Sequence, residues 1–339
     1  MYSPRIVYRA VDRIRARGNG RVWPRSFADR LSHPTPTGRK VLRLYREGGT
    51  RADTTHAGRI PVAIQAALAP VAPRVTAVTW IGHATCVMQV GGLVVLTDPV
   101  WSRRIPGTPP RLTPPGVPFD GLPHVDAVLI SHNHFDHLDR PTIRRLRRDV
   151  PMLVPAGLGW WFRRLRFTQV VELDWWESHR MAGVDFTFVP AHHWTRRTLF
   201  DACQSLWGGW IVEAGDAFAG GRRIYFAGDS AYGPGFAELG RRFPGIDLAL
   251  LPVGAYLPRW FMKPLHMNPA EAVRAFGDLG AARMGTIHWG TFVLSAEPPL
   301  APLEQIRRHW RAAGRSPGDL WDFAVGETRL LAAADSRAS

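Results

Sequence analysis

The chain has 339 residues, 45% of them hydrophobic, and a formal net charge of +15. That composition excludes a disordered polymer and leaves room for one large domain or two modest ones. Cys86 and Cys203 are the only cysteines, too few for a disulfide framework, and no apolar run reaches the roughly 20 residues that a membrane-spanning helix needs.

The first stretch, residues 1–73, reads as a basic N-terminal extension. Residues 5–15 carry Ile6, Val7, Ala10, Val11 and Ile14 at helical spacing, with arginines on the other face. Such a helix either lies on an anionic membrane or packs on its own domain. Residues 18–38 read as loop, residues 41–46 as a second basic segment, and residues 62–71 as one helix or a covering segment. From residue 75 the pattern turns strand-rich. Strands are expected at 75–81, 86–90 and 93–97, with Gly91-Gly92 as a hairpin turn between the last two. A buried strand follows at 125–130 and a short basic helix at 141–148. Further strands are expected at 152–155, 169–173 and 185–190. Segments 207–214 and 223–227 are expected to pair around a turn at 215–221. A helix at 234–243, a strand at 248–253, a helix at 269–279 capped by Asn268, a strand at 284–287 and a helix at 302–313 complete the run. Strands and helices alternate in two successive halves, which suits two sheets sandwiched between helices.

Directly after the apolar run 125–130 comes Ser131-His132-Asn133-His134-Phe135-Asp136-His137. Neutral imidazole and carboxylate are good ligands for a borderline divalent ion such as zinc, and this spacing lets one loop face two ions. His193, Asp229 and His288 each follow an apolar strand in the same way, and His266 precedes the helix at 269–279. Each taken singly is as well read as a core or loop residue, but the repetition favours a metal site. A GxSxG elbow and a phosphate-binding GxxxxGK[ST] loop are both missing from the sequence.

The set His132-x-His134-x-Asp136-His137, His193, Asp229 and His288 resembles the metallo-β-lactamase superfamily of binuclear hydrolases. The segments Trp80-Ile81-Gly82-His83-Ala84-Thr85, Leu96-Thr97-Asp98-Pro99-Val100, Phe226-Ala227-Gly228-Asp229 and Ile287-His288-Trp289-Gly290-Thr291-Phe292 are similar to the family of phospholipases D that hydrolyse N-acylphosphatidylethanolamine. The resemblance implies a four-layer αββα sandwich over residues 74–330, with 331–339 as a tail. It implies two Zn2+ ions, one held by His132, His134 and His193, the other by Asp136, His137 and His288, with Asp229 bridging. Asp136, Asp229 and His266 are then the catalytic residues, His266 lining the reaction centre. His83 and Asp98 are expected to orient ligands, with a plain buried histidine equally open for His83. His192 is set aside in favour of His193.

The implied reaction is hydrolysis of a phospholipid diester. A small lactone or sugar-phosphate ester is the alternative substrate, and a nuclease a further one. The positive field attracts anionic partners, but the charge is scattered and no nucleic-acid module is recognised, so no specific nucleic acid is expected. Trp160, Trp161, Trp175, Trp176, Trp194, Trp260 and Phe261 are candidates for an acyl groove or a membrane interface, or for core. Arg259 is a candidate phosphate contact or a solvent-facing arginine. No secretory leader is read. A cytoplasmic protein is expected, with peripheral contact at the inner face of the membrane and a homodimer as the partners implied.

Overall fold

The computed structural model describes residues 15–16, 21–215 and 221–331. Strands β1 (Arg15–Ala16) and β2 (Val22–Trp23) pair antiparallel and are followed by helix α1 (Gly38–Arg46). The first half then runs β3 (Thr76–Gly82), β4 (Thr85–Val90), β5 (Leu93–Thr97), β6 (Ala127–Leu129), α2 (Arg140–Ile143), β7 (Met152–Pro155), α3 (Gly159–Arg164) and β8 (Val170–Leu173). The second half runs β9 (Ser178–Met181), β10 (Val184–Val189), β11 (Gly209–Ala214), β12 (Arg222–Phe226), α4 (Gly235–Arg242), β13 (Leu248–Pro252), α5 (Arg259–Met262), α6 (Pro269–Leu279), β14 (Arg283–Ile287), α7 (Ala301–Ala312), β15 (Leu320–Trp321) and β16 (Thr328–Leu331).

Two seven-stranded mixed sheets result, in the orders β16-β3-β4-β5-β6-β7-β8 and β15-β14-β13-β12-β11-β10-β9. In each, an antiparallel meander passes into parallel strands at β5/β6 and at β12/β13. The sheets face each other over a core that joins Trp80, Met88 and Leu129 to Phe186, Trp210 and Phe226. Period-two alternation assigns the faces of β6. Ala127 and Leu129 point to this core, while Val128 and Ile130 point outward to Leu138, Ile143 and Phe162. Helices α6 and α7 cover the second sheet through Phe276, Leu303 and Trp310. The architecture is therefore the four-layer αββα sandwich.

Local chemistry explains most of the elements. Gly91 and Gly92 both take positive φ, 58° and 78°, the backbone a tight two-residue hairpin needs. At α6 the Asn268 side chain accepts from the Glu271 N–H, the Glu271 carboxylate accepts from the Asn268 N–H, and Gly280 ends the helix at φ 61°.

Several expectations need correction. Of the two readings of residues 62–71, a helix or a covering segment, the second is the one found. Ala63 and Gln65 donate their N–H groups to Val325 and Gly116 carbonyls at 2.7 and 2.9 Å, so the segment is an extended cover. The helix expected at 141–148 stops at Ile143, where the backbone passes into tighter turns: the Arg145 and Leu146 N–H groups bond three residues back, to the Thr142 and Ile143 carbonyls. The helix expected at 5–15 lies outside the described residues except for Arg15, which sits in β1. The turn at 216–220 and the tail from 332 also lie outside them, although β11 and β12 pair as expected on either side of that turn. Strands β9, β15 and β16 and helices α3 and α5 were not anticipated. Early residues enter the core directly: Phe27 is fully buried, and its N–H donates to the Cys203 carbonyl at 2.7 Å. Among the described residues no helix is long and apolar enough to cross a membrane.

Candidate metal centre

Five strands deliver the site from their C-terminal ends, where open α/β sheets place their ligand crevices. His83 follows β3, His132 lies three residues past β6, His193 follows β10, Asp229 follows β12 and His288 follows β14. His134, Asp136 and His137 sit on the loop between β6 and α2, and His266 on the loop between α5 and α6. The strand ends meet at short range. The His288 N–H donates to the His83 carbonyl at 2.8 Å, joining one sheet to the other. Gly228 lies so close to Ser131 that a Cβ on it would stand 2.5 Å from the serine Cβ, and its φ is 58°. His83, Asp98 and His288 hold positive φ values of 54°, 33° and 63° without being glycine, the kind of local strain that collects at functional sites.

Two groups of donors converge. His132 Nε2 lies 2.9 Å from His134 Nδ1, which lies 3.2 Å from His193 Nε2. Metal–nitrogen bonds of 2.0–2.1 Å at tetrahedral angles separate ligand atoms by about 3.3 Å, so these nitrogens stand near adjacent corners of such a cage. The other group is Asp136, His137 and His288, with His83 beside them. Asp229 lies between the groups. Its Oδ1 is 3.0 Å from His288 Nε2, and its Oδ2 is 3.2 Å from His137 Nε2, 3.7 Å from His193 Nε2 and 3.9 Å from His132 Nε2. His266 Nδ1 approaches the same Oδ2 at 3.8 Å.

The hydrogen bonds behind the donors set which nitrogen faces inward. His137 Nδ1 donates to Asp98 Oδ2 at 2.7 Å, His193 Nδ1 to the Leu265 carbonyl at 3.0 Å, and His132 Nδ1 to Ser131 Oγ at 2.9 Å. The Ser131 hydroxyl in turn donates a hydrogen bond to Asp98 Oδ2. In each histidine this leaves the Nε2 lone pair free for a cation. His137 Nε2, Asp229 Oδ1, His266 Nδ1 and His288 Nε2 are buried and make no hydrogen bond. Buried polar atoms are rarely left so, and a bound divalent cation would satisfy His137 Nε2, Asp229 Oδ1 and His288 Nε2.

The electrostatics agree. Burial alone pushes carboxyls up, but facing histidines outweigh it and hold Asp229 and Asp136 well below the usual carboxylate range. Burial pushes His288 down, yet Asp229 and Asp136 reverse the sign and raise it to about 9. His83, His134 and His193 go the other way, held at about 3 by burial first of all. Anionic carboxylates and neutral imidazoles bind divalent metals, so both carboxylates and His83, His134 and His193 are already in the binding form, whereas His137 and His288, raised by Asp229 and Asp136 against burial, must give up a proton to a cation.

The structure thus brings together His132, His134, Asp136, His137, His193, Asp229, His266 and His288. His192 points elsewhere, its ring against Gly233. His83 Nε2 donates to Asp136 Oδ2 at 2.9 Å. Arg259 is neither a phosphate contact nor a solvent-facing arginine. It forms a two-pronged ion pair with Glu271 at 2.9 and 2.7 Å and donates to the His266 carbonyl at 3.1 Å. Of the tryptophans singled out, Trp160 is exposed and Trp194 packs edge-on to His134 at 5.4 Å. Sequence reasoning missed Arg197. Its Nη1 donates to the carbonyls of Asn133, His134 and Leu138 at 2.9, 3.3 and 2.7 Å, and its guanidinium covers the Phe135 ring at 4.2 Å. Its closeness to His193 in sequence was the one available signal.

Residues 94–289 match the family described as Beta-lactamase superfamily domain. An uncharacterized protein of Mycobacterium tuberculosis is 42% identical over 242 residues, which span 68% of this chain and 63% of that relative. N-acyl-phosphatidylethanolamine-hydrolyzing phospholipase D 1 of Caenorhabditis elegans is 36% identical over 247 residues, 68% of each chain. The crystal structure of a possible metal-dependent hydrolase from Veillonella parvula has the same fold, with a TM-score of 0.62 at 19% identity over 76% of this chain and 100% of that one.

Proposed function

Because the chain belongs to the metallo-β-lactamase superfamily, we propose that it is a metal-dependent hydrolase, and more narrowly a binuclear zinc phosphodiesterase of the phospholipase D type. Its substrate on this reading is N-acylphosphatidylethanolamine, cleaved to N-acylethanolamine and phosphatidic acid. The observation that carries the reading is the position of Asp229, one oxygen toward His288 and the other toward His137, His193 and His132. Asp229 thus lies within 4 Å of nitrogens from both donor groups, His132 and His193 of one and His137 and His288 of the other, which is where a carboxylate shared by two cations belongs. The similarity to the C. elegans phospholipase D supports the substrate class.

The nitrogen-rich donors suit zinc. When bound, two such cations lower the pKa of water toward about 7 and neutralise charge growing on phosphoryl oxygens. The chain's own residues do the rest. Two carboxylates against two divalent ions leave the site cationic, so it attracts an anionic diester. Asp136 and His266 keep 14% and 13% of their side chains exposed, against 2% or less for Asp229, His132, His137, His193 and His288. Asp136 is the carboxylate that a water on the substrate side can reach, and its charge orients that water for attack. Burial lowers His266 to about 4, so at neutral pH it is a neutral imidazole. Its role is to donate one hydrogen bond to a phosphoryl or leaving oxygen, not to act as a cationic acid.

The test is metal content by mass spectrometry together with hydrolysis of defined N-acylphosphatidylethanolamine. Two zinc ions per chain and release of N-acylethanolamine, lost on chelation and restored by zinc, are expected. Binding of a single ion, or cleavage of other esters with none of this lipid, ends the proposal.

A further inference from the structure

The loop after His193 ends in an apolar tip. Leu199 is 76% exposed and Phe200 85%, the most exposed large hydrophobic residues among those described, and they are adjacent. The loop is not slack. Asp201 Oδ1 accepts from the Arg197 and Thr198 N–H groups at 2.9 and 2.7 Å, and Gln204 Nε2 donates to the Phe200 carbonyl at 2.6 Å. The brace holds both side chains out into water, where each costs free energy unless something covers it.

What surrounds the tip identifies the cover. Trp160, on α3, is exposed, and the Arg164 guanidinium stands 6.0 Å over its ring. Arg197 reaches to 5.8 Å from the neighbouring Trp161, which ties α3 to the loop. Arg196 precedes the tip and donates to the Thr198 carbonyl at 2.9 Å. Two apolar side chains project furthest, and α3, which carries the exposed Trp160 and its Arg164, meets the base of the loop where Arg197 reaches Trp161. This order matches an anionic bilayer from acyl chain through interface to phosphate. The shape is a protrusion rather than a groove or a flat apolar face, so it suits a deformable apolar phase better than a second folded surface.

We propose that loop 195–201 anchors the protein to an anionic lipid surface, Leu199 and Phe200 entering the acyl region while Arg196 and Arg164 meet lipid phosphates. The net charge of +15 complements such a surface. Arg197 also gives the anchor a bearing on the site, because the same loop holds the carbonyls of Asn133, His134 and Leu138. Docking of the tip therefore acts, through Arg197, on the loop that carries His134, Asp136 and His137. The inference draws its sense from the lipid-diester reading, but its test is independent of catalysis.

The full-length, zinc-loaded protein and its Leu199→Ser/Phe200→Ser variant are co-sedimented with vesicles of phosphatidylcholine, with and without phosphatidylglycerol. The parent protein is expected to bind the phosphatidylglycerol vesicles, less so as salt rises. The variant is expected to bind about tenfold more weakly or worse, with hydrolysis of a water-soluble diester unchanged. Equal binding by variant and parent overturns the proposal, as does a parent that binds neither vesicle. A change in sedimenting mass without a change in vesicle binding also overturns it, and makes the tip a contact between copies of the chain. If the variant loses vesicle binding as expected while N-acylphosphatidylethanolamine in the vesicles stays intact, the anchor stands and the substrate reading fails.

Discussion

His137 Nδ1 donates to Asp98 Oδ2 across 2.7 Å, and neither side chain touches solvent. The same carboxylate accepts the Ser131 N–H on Oδ1 and the Ser131 hydroxyl on Oδ2, and through Ser131 it also fixes His132. Asp98→Asn leaves one acceptor oxygen for three donors, so at least one donor meets an NH2 group. Metal affinity is expected to fall roughly 10–100-fold with the fold retained. Chelator competition reads this directly, and unchanged affinity would show that Asp98 orients nothing.

Arg197 stitches the metal-binding loop to the following one through three backbone carbonyls. Burial lowers its guanidinium to about 10, still charged at neutral pH, and hydrogen bonds from a charged donor are the stronger kind. Arg197→Met keeps the stem over Phe135 but strands buried acceptors. A loss of about 3 kcal/mol is expected, seen as a lower urea midpoint, together with weaker metal binding. A midpoint equal to the parent's would mean that water replaces the guanidinium without cost.

The metal-free protein is expected to be most stable near pH 6.5. His83, His134 and His193 are held at about 3 and His266 at about 4, chiefly by burial, against an ordinary 6.5. Below 6.5 the unfolded chain therefore binds more protons than the folded one, and stability falls as pH falls. His288 is opposite in sign. Burial is outweighed by Asp229 and Asp136, its value is about 9, and its stabilising contribution is full below 6.5 and lost as pH rises through 9. Metal binding needs the neutral imidazole, so saturation with zinc displaces that proton and removes the decline between pH 6.5 and 9. Urea midpoints across this range, with chelator and with zinc, check the shape. A chelated protein whose stability keeps rising to pH 9 would contradict it.

The parts of the site that lie within a few residues of a strong hydrophobic strand were legible in the sequence. His132 to His137, His193, Asp229 and His288 each follow an apolar run, and period-two burial then delivers them to one edge. The two-residue glycine hairpin and the α6 cap were legible for the same reason, because each is a local rule. Arg197 and Leu265 were not, since one acts through its side chain on carbonyls some sixty positions away and the other through a backbone oxygen. Gly228 carries no local signal of its need to approach Ser131. Strand β9, with the sequence Ser178-His179-Arg180-Met181, is a partly exposed edge whose polarity hides it, and β15 and β16 are too short or too solvent-facing to show alternation.

Asp229 and His266 face the same space but should separate under substitution. Asp229 is 2% exposed and approaches nitrogens from both donor groups, so Asp229→Asn removes charge that both cations need. Loss of both ions and of all activity is expected, measured as metal content after dialysis. His266 is more exposed, and its nearest anionic atom is that Asp229 oxygen at 3.8 Å. Its loop is held independently by the His266 N–H to the Met262 carbonyl at 2.8 Å and by Arg259 on the His266 carbonyl, so His266→Ala should not unseat the donors behind it. That variant is expected to keep its metal and to lose turnover by roughly 100-fold, the lower range for a single positioned proton-handling group. If His266→Ala instead sheds one ion, the histidine is a ligand, and the hydrogen bond to the phosphoryl or leaving oxygen must come from another residue.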